Sequence, residues 1–237
     1  MHEFAHARTV METMIRDNDL EGLLRQVEHM HGHLCPGVSL GVKAGHYAMK
    51  AVNRENTGME ELVAIVECNN CFSDGIQVVT GCTFGNNALV FKDLGKTAVT
   101  LARREDGSAI RLAVKPNYFQ DMFARYPVAG PLFQKIVAER QGTAEEMHHF
   151  QHVWHSISLK ELELPLEEQF SVTRLTIAPP RYAPIFSSLV CSGCGEAVME
   201  SRVRLRQNQP YCLTCAGEDY FLLTGHGMSM SRENCHG

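Results

Sequence analysis

Two cysteine pairs, Cys191-x2-Cys194 and Cys212-x2-Cys215, with seventeen residues between them, constrain this chain more than any other feature. Four thiolates at that spacing match a structural zinc site with tetrahedral corners, each short pair forming one knuckle. Glu196 to Tyr211 has room for a hairpin, with Gln207-Asn208-Gln209-Pro210 at its turn. Cys212 and Cys215 then stand at the start of a helix expected through Asp219, Tyr220 and Phe221. Knuckle, hairpin and helix in that order describe a treble-clef or ribbon finger. A module this short has too little core to fold alone, so bound metal supplies most of its folding free energy. Arg202, Arg204 and Arg206 alternate along one expected strand and share a face. They can contact phosphates. With Glu196, Glu200, Glu218 and Asp219 close by, the favoured reading is that they balance the anionic thiolate cluster or face water.

A second concentration of ligand-type residues is His31-Gly32-His33-Leu34-Cys35-Pro36-Gly37. Apolar residues at helical spacing, Leu20, Leu23, Leu24, Val27 and Met30, lead into it, and Gly32 lets the chain turn out of that helix. His31 follows Val27 by four residues, which points its ring inward. Pro36 suits the first residue of a new helix, putting Cys35 at the N-cap. There a thiolate meets unpaired backbone N–H groups and the positive end of the helix dipole. Histidine and cysteine converging on a tight turn is the arrangement a transition metal requires. The helix that follows, to about Asn53, carries Gly37, Gly41 and Gly45 on one face, a ridge that permits close approach of a neighbour.

The rest of the chain supplies a sheet and further helices. Leu62 to Val66 is a continuous apolar run, expected as a strand buried on both faces. Ser73 is expected to cap a helix stopped by Gly81, followed by a small-residue loop from Cys82 to Asn87. Thr97–Leu101 and Ile110–Val114 read as a hairpin turning at Asp106-Gly107. Helices are expected over Tyr118–Arg125, Leu132–Arg140 and, capped by Thr143, as far as about Leu162; Phe170–Ile177 reads as a strand. Pro179, Pro180 and Pro184 form a stiff connection. The expected organisation is a domain over 1–180, the finger over 181–225 and a flexible tail over 226–237.

Composition excludes some functions. At 237 residues and net charge -5, nothing in bulk electrostatics favours nucleic acid or an anionic membrane. No apolar run reaches membrane-spanning length. The start reads without a signal peptide, and nine cysteines in that setting suggest metal or redox thiolates and a cytoplasmic location.

Two further groupings carry chemistry. Cys68-x2-Cys71 follows a strand and precedes a helix, the context of a dithiol redox pair, but with Glu67 and Asp74 it also suits a metal site completed from elsewhere. Cys71 is the better placed of the two, and Cys68 can equally be a packed apolar residue. His148, His152 and His155 share a helix face at i, i+4, i+7 with His149 beside them. The metalloprotease pattern is absent, so these read as a solvated or crevice-lining face.

His31-Gly-His33-x-Cys35-Pro36-Gly37-x3-Gly41, Glu67-x3-Cys71-x2-Asp74-Gly75-Ile76-Gln77 and Thr80-Gly81-Cys82-Thr83-x-Gly85 resemble the FmdE-like family, named for the FmdE component of formylmethanofuran dehydrogenase. Cys194-Gly195-Glu196 and Tyr211-Cys212-x2-Cys215-Ala216-Gly217 resemble its longer members, and the likeness spans about Glu21 to Phe221. The resemblance implies an α+β domain, a mixed sheet flanked by helices and described as thioredoxin-like, with a C-terminal treble-clef zinc finger. It also implies an active site able to hold zinc where the His-x-His-x-Cys turn meets the Cys71 segment. The chain departs from the family at Asn86, where a lysine is common, and in its helix histidines.

The functional expectation is a metal-binding accessory or enzymatic component related to molybdenum or tungsten formylmethanofuran dehydrogenase systems. Any enzyme activity would be metal-dependent and redox-linked. His31, His33, Cys35 and Cys71 are the expected ligands, with zinc or another transition metal. His33, Cys35, Cys71 and Asp74 are the expected catalytic groups, Cys82 is expected in the same pocket, and Asp74 or Glu67 in proton transfer. Expected partners are components of a metalloenzyme and a second copy of the chain. The alternative is a regulatory zinc-finger protein binding nucleic acid or a partner protein; a third reading is a dithiol oxidoreductase using Cys68 and Cys71.

Overall fold

The computed structural model of the protein describes residues 7–231. The chain forms two compact units that part between Arg181 and Tyr182. Among the described residues no helix is long and apolar enough to cross a membrane.

The first unit opens with three helices, α1 (Thr9–Asp17), α2 (Leu20–His31) and α3 (Pro36–Val52). Asn18 in the left-handed region separates α1 from α2, and the Asp19 carboxylate caps α2 by accepting from the Gly22 N–H at 2.8 Å. Gly32, at φ +90°, ends α2 with its N–H on the Glu28 carbonyl, a conformation that would strain other residues. Next come β1 (Leu62–Val66), α4 (Cys71–Thr80), β2 (Leu89–Phe91), β3 (Ala98–Arg103) and β4 (Ser108–Val114). After them run α5 (Tyr118–Arg125), α6 (Ala129–Phe133), a π-helical turn (Gln134–Ala138), α7 (Ala144–Glu163), α8 (Leu166–Gln169) and β5 (Phe170–Thr176).

The strands form one mixed sheet in the order β2-β1-β3-β4-β5, parallel only between β1 and β2. Every residue of β1 is buried. Leu62, Ala64 and Val66 join the main core with α3 and α4, whereas Val63 and Ile65 join a smaller cluster with Ala102 and Ala109. Alternate residues of a strand face opposite sides, so a strand covered on both shows no alternation in its sequence. β2 has no counterpart among the expected elements: three residues at an edge carry too little pattern to be read.

Four stretches differ from the sequence expectation. The cap of α4 is Asn70, whose side chain accepts from the Phe72 N–H at 3.1 Å, while the Ser73 hydroxyl donates to the Cys68 carbonyl at 2.7 Å. Asparagine is at least as good a cap as serine, and starting three residues earlier makes Cys71 the first helical residue. The segment expected as one helix over Leu132–Arg140 is α6 followed by the π-helical turn. In the second unit Tyr220–Phe221 is strand, not helix, and Gly227–Ser231 belongs to a hairpin, not a flexible tail.

Two short hairpins open that second unit. β6 (Ser188–Val190) pairs with β7 (Ala197–Met199), and, after a 3-10 turn (Glu200–Arg202), β8 (Arg204–Arg206) pairs with β9 (Gln209–Tyr211). Gln207 and Asn208, both at positive φ, make the β8–β9 turn. The third hairpin pairs β10 (Tyr220–Thr224) with β11 (Gly227–Ser231). Alternation in Gly227-Met228-Ser229-Met230-Ser231 places Met228 and Met230 opposite Leu223 and Phe221. Cys235 and the rest of the expected tail lie outside the described residues.

Candidate metal centre

The glycine ridge of α3 builds the first unit's site. A Cβ on Gly37 would stand 3.1 Å from Cys71 Cβ, one on Gly41 2.2 Å from the Phe72 carbonyl oxygen, and one on Gly45 3.0 Å from Val79 Cβ. A Cβ on Gly75 would likewise lie 2.7 Å from the Gly41 backbone. Contacts therefore advance in step, 37 with 71, 41 with 75, 45 with 79, so α3 and α4 run parallel with their backbones touching. Two parallel helices in this register place their N-termini side by side. Cys35 is the N-cap of α3 and Cys71 the first residue of α4, so both sulfurs sit where N–H groups are unpaired and helix dipoles are positive.

His31 completes the group from the last turn of α2. One ring nitrogen of His31, Cys35 Sγ and Cys71 Sγ all lie within 4.8 Å of one another. His31 Nε2 is 3.9 Å from Cys35 Sγ, and Nδ1 is 2.7 Å from Asp74 Oδ2. The Val38 N–H donates to Cys35 Sγ at 3.4 Å. The two thiols are hydrogen-bonded to each other: the bond from Cys35 lowers Cys71, and the same bond, with burial, raises Cys35. Ligand atoms around a tetrahedral zinc stand roughly 3.5–3.8 Å apart, so one nitrogen and two sulfurs within 4.8 Å of one another need close in by no more than about 1 Å to occupy three corners of such an ion. A carboxylate on the outer nitrogen of the histidine is the usual second partner of a metal-bound imidazole.

Other candidates fall elsewhere. His33 is exposed and outside the three-donor group, its ring 4.5 Å from that of His31, and burial followed by the neighbouring His31 lowers its pKa. Cys82 is not in this pocket. It follows the C-terminal end of α4, about 15 Å of helix from Cys71, and is fully buried near Asn56, its thiol pushed up to about 11 by desolvation. Glu67 is not free to move a proton either. Arg111 clamps it with two 2.7 Å bonds and holds its carboxyl below the usual range. Cys68 is buried against Ser73 and Asn70, and desolvation raises it; Cys71 is paired with Cys35 instead. His148 and His152 lie ring to ring at 4.4 Å on an exposed face of α7. Asn86 staples its loop, accepting from the Thr83 and Ala88 N–H groups and donating to the Gly81 carbonyl.

What stands beside the thiols has no place among the sequence expectations. A cavity of about 430 Å³ is lined on one side by Cys35 and Cys71 and on the other by aromatic residues of α5, α6 and α7. Phe133 stacks on Trp154 with centroids 5.7 Å apart, and Phe150 packs 4.6 Å from the same indole. The one signal for it is Phe119 with Phe123 and Phe150 with Trp154, each pair at i, i+4 on one helix face. Glu161, buried, holds the wall in place by accepting from Tyr118, Arg125 and Gln169 at 2.8–3.2 Å.

In the second unit Cys191, Cys194, Cys212 and Cys215 bring their sulfurs within 4.8 Å of one another. Backbone N–H groups of Gly193 and Cys212 point at Cys191 Sγ at 3.4 and 3.3 Å, and that of Cys215 at Cys212 Sγ at 3.3 Å. Such bonds, the Cys194 N–H first, bring the Cys191 thiol down to about 6. Arg202 sits in the 3-10 turn, off the strand it was expected to share with Arg204 and Arg206. Arg206 donates to the Ala216 carbonyl and lies 3.8 Å from Glu218, so it braces the second knuckle.

Residues 30–171 match the family model described as FmdE, molybdenum formylmethanofuran dehydrogenase operon. The chain belongs to the FmdE family. Residues 184–221 match the prokaryotic dksA/traR C4-type zinc finger. A probable S-adenosyl-L-methionine-binding protein of Archaeoglobus fulgidus is 39% identical over 213 residues, which cover 88% of this chain and 56% of that protein. The chain thus spans little more than half of that relative's length. A crystal structure of an FmdE-like protein of the tungsten formylmethanofuran dehydrogenase type, from Syntrophus aciditrophicus, shares the fold, with TM-score 0.52 at 21% identity over 84% of this chain and 92% of that one. The molecule is an FmdE-family α+β domain followed by a four-cysteine zinc finger.

Proposed function

We propose that the first unit is a transition-metal centre with His31, Cys35 and Cys71 as ligands, serving as an accessory or enzymatic component related to the formylmethanofuran dehydrogenase systems for which the family is named. One observation carries this: three donor atoms of metal-binding type within 4.8 Å, with the imidazole pinned by Asp74 at 2.7 Å. Three protein ligands and an open fourth position are the pattern of reactive zinc sites, whereas four close a structural one. A zinc ion held there would supply Lewis acidity, polarising a bound ligand or acidifying bound water.

The chain's own groups have distinct roles in this reading. Asp74 accepts from His31 Nδ1, which fixes the tautomer and leaves Nε2 facing the sulfurs. Cys71, the more acidic thiol, supplies the first thiolate, and Cys35 is held by the Val38 N–H. His33, which lines both the 430 Å³ cavity and a neighbouring one of about 710 Å³, is the proton acceptor at the mouth. S-adenosylmethionine binding is not carried over from the Archaeoglobus protein. That molecule brings a charged amino-acid end; among the described residues no Asp, Glu, Lys or Arg lines the cavity beside the thiols, and Glu28 and Arg140 line the neighbouring one instead.

Metal analysis of the full chain tests this. Two transition-metal ions per chain are expected, falling to one in Cys35→Ser and Cys71→Ser, with about 10–100-fold weaker retention of the second ion in Asp74→Asn. A wild-type protein holding one ion, unchanged in Cys35→Ser, would overturn the proposal.

A further inference from the structure

The cavity beside Cys35 and Cys71 has features that a metal centre alone does not require. Its volume, about 430 Å³, lies in the range of small-molecule sites. Among the described residues no acidic or basic side chain lines it, apart from the imidazole of His33. Its polar groups besides His33 are Asn70 and Thr97, which bond to each other at 3.4 Å beside Cys71, so polarity is concentrated at the thiol end. The opposite wall is a run of rings. Phe123 and Phe133 have centroids 6.0 Å apart, and Phe133 lies nearly parallel to Trp154, at 16°. Val137 enters the wall from the π-helical turn, and turns of this kind occur frequently at functional sites.

These observations select a ligand class. An ionised body would lose its hydration with no opposite charge to meet it, so the occupant is neutral. A wall of stacked and tilted rings offers flat faces and edges, which aromatic ligands complement better than branched aliphatic ones. At the polar end the donors are soft sulfurs, and metals held by thiolates favour soft ligands. We infer that this cavity binds one neutral aromatic molecule with a single thiol-type head group, its ring against the Phe123–Phe133–Trp154 wall and its head toward Cys35 and Cys71. The preference for a thiol head rests on the proposed metal centre; the preference for a neutral ring rests on the cavity alone.

Trp154 is the chain's single tryptophan and lines both this cavity and the neighbouring one of about 710 Å³, so its emission reports on either. Phe119, which lines this one and not the other, tells them apart. Full-length protein of measured metal content is titrated with 3-phenylpropane-1-thiol, propylbenzene and 3-phenylpropanoate. Each is read by the shift and quenching of Trp154 fluorescence. The thiol should bind about tenfold tighter than propylbenzene, and the carboxylate at least about tenfold weaker than propylbenzene. Phe119 lines the cavity and is 45% exposed, so it can be replaced without emptying the core. Phe119→Lys should weaken the thiol about tenfold or more at unchanged metal content, and Phe119→Leu should restore most of the binding.

Silence of Trp154 toward all three probes in a protein holding two metal ions would overturn this inference and leave the metal centre standing. Equal binding of thiol and propylbenzene in that protein would overturn the head-group assignment. Tight binding of the carboxylate would overturn the soft-head-group assignment, because a carboxylate reaches an open zinc position as an oxygen donor. A protein holding one metal ion whose Trp154 still responds to propylbenzene would overturn the metal centre and support the aromatic site.

Discussion

The two cysteine clusters of this chain are built in opposite ways. In the finger four thiols are gathered by strands of three residues, and three of the four are exposed or half-buried. Little apolar surface is buried around them, so their geometry depends on the ion they hold. In the first unit His31, Cys35 and Cys71 sit on the ends of three helices, and α3 and α4 are locked backbone to backbone by Gly41 and Gly75. Packing by itself brings those three side chains, the proposed ligands, together. A site that the fold already holds can leave a corner open for chemistry; a site that makes its own fold cannot.

The largest effect should come from unmaking the finger. Cys212→Ser, or strong chelation, should abolish protection of backbone amides across residues 188–211 in hydrogen exchange, since structural zinc contributes about 10–16 kcal/mol in such modules. Protection of α3 and α4 should be unchanged by the same treatment. Loss of α3–α4 protection on chelation would show that the first unit, too, is folded by its metal.

Gly41→Ala tests the packing side of the contrast. A methyl group 2.2 Å from the Phe72 carbonyl oxygen must push α3 from α4, at a cost of about 3 kcal/mol. For a unit of this size that is a fall in Tm of roughly 6–12 °C, accompanied by weaker retention of metal by the His31 group. An unchanged Tm would mean that helix contact does not set the site.

The smallest effect is expected at Glu67, which braces the sheet without touching the ligands. Its bidentate bond to Arg111 should be worth about 1 kcal/mol, so Glu67→Gln should lower Tm by roughly 2–4 °C at pH 7 at constant metal content. The pH dependence has a definite sign. Arg111 lowers the folded pKa of Glu67 below its ordinary 4.5. The stabilisation is therefore fully present above about pH 4.5 and fades as pH falls through the lowered value. Thermal melts of both proteins should converge on the acid side; a gap that persists at low pH would assign the effect to packing.

Much of the site is readable residue by residue. Pro36 and Gly32 announce the corner between α2 and α3, and Cys35 at a helix cap follows from them by local rules alone. The four finger cysteines are equally plain, because their pairs are close in sequence. The cap of α4 is not: Asn70 and Ser73 are two good caps three residues apart, and tertiary hydrogen bonds choose between them. Cys82 and Cys71 flank one helix, which suggests a shared pocket, yet they flank its opposite ends. The aromatic wall is invisible as a wall: Phe123, Phe133 and Trp154 come from three elements, and nothing in their spacing says that they meet.

By itself, then, the sequence determined the stop of α2 at Gly32, the N-caps of α3 and α7, the glycine ridge, the buried β1 strand and the candidate ligand types, all of which follow from interactions within a few residues. Only the tertiary structure decided where Asp74 bonds, that Cys82 stays out of the pocket, and that, among the described residues, no acidic or basic side chain other than His33 lines the cavity beside the sulfurs. Those outcomes depend on the parallel register of α3 against α4 and on the docking of α5 to α7. That register is set by contacts more than thirty residues apart. Local rules supply the parts at such distances, and close packing alone selects their arrangement.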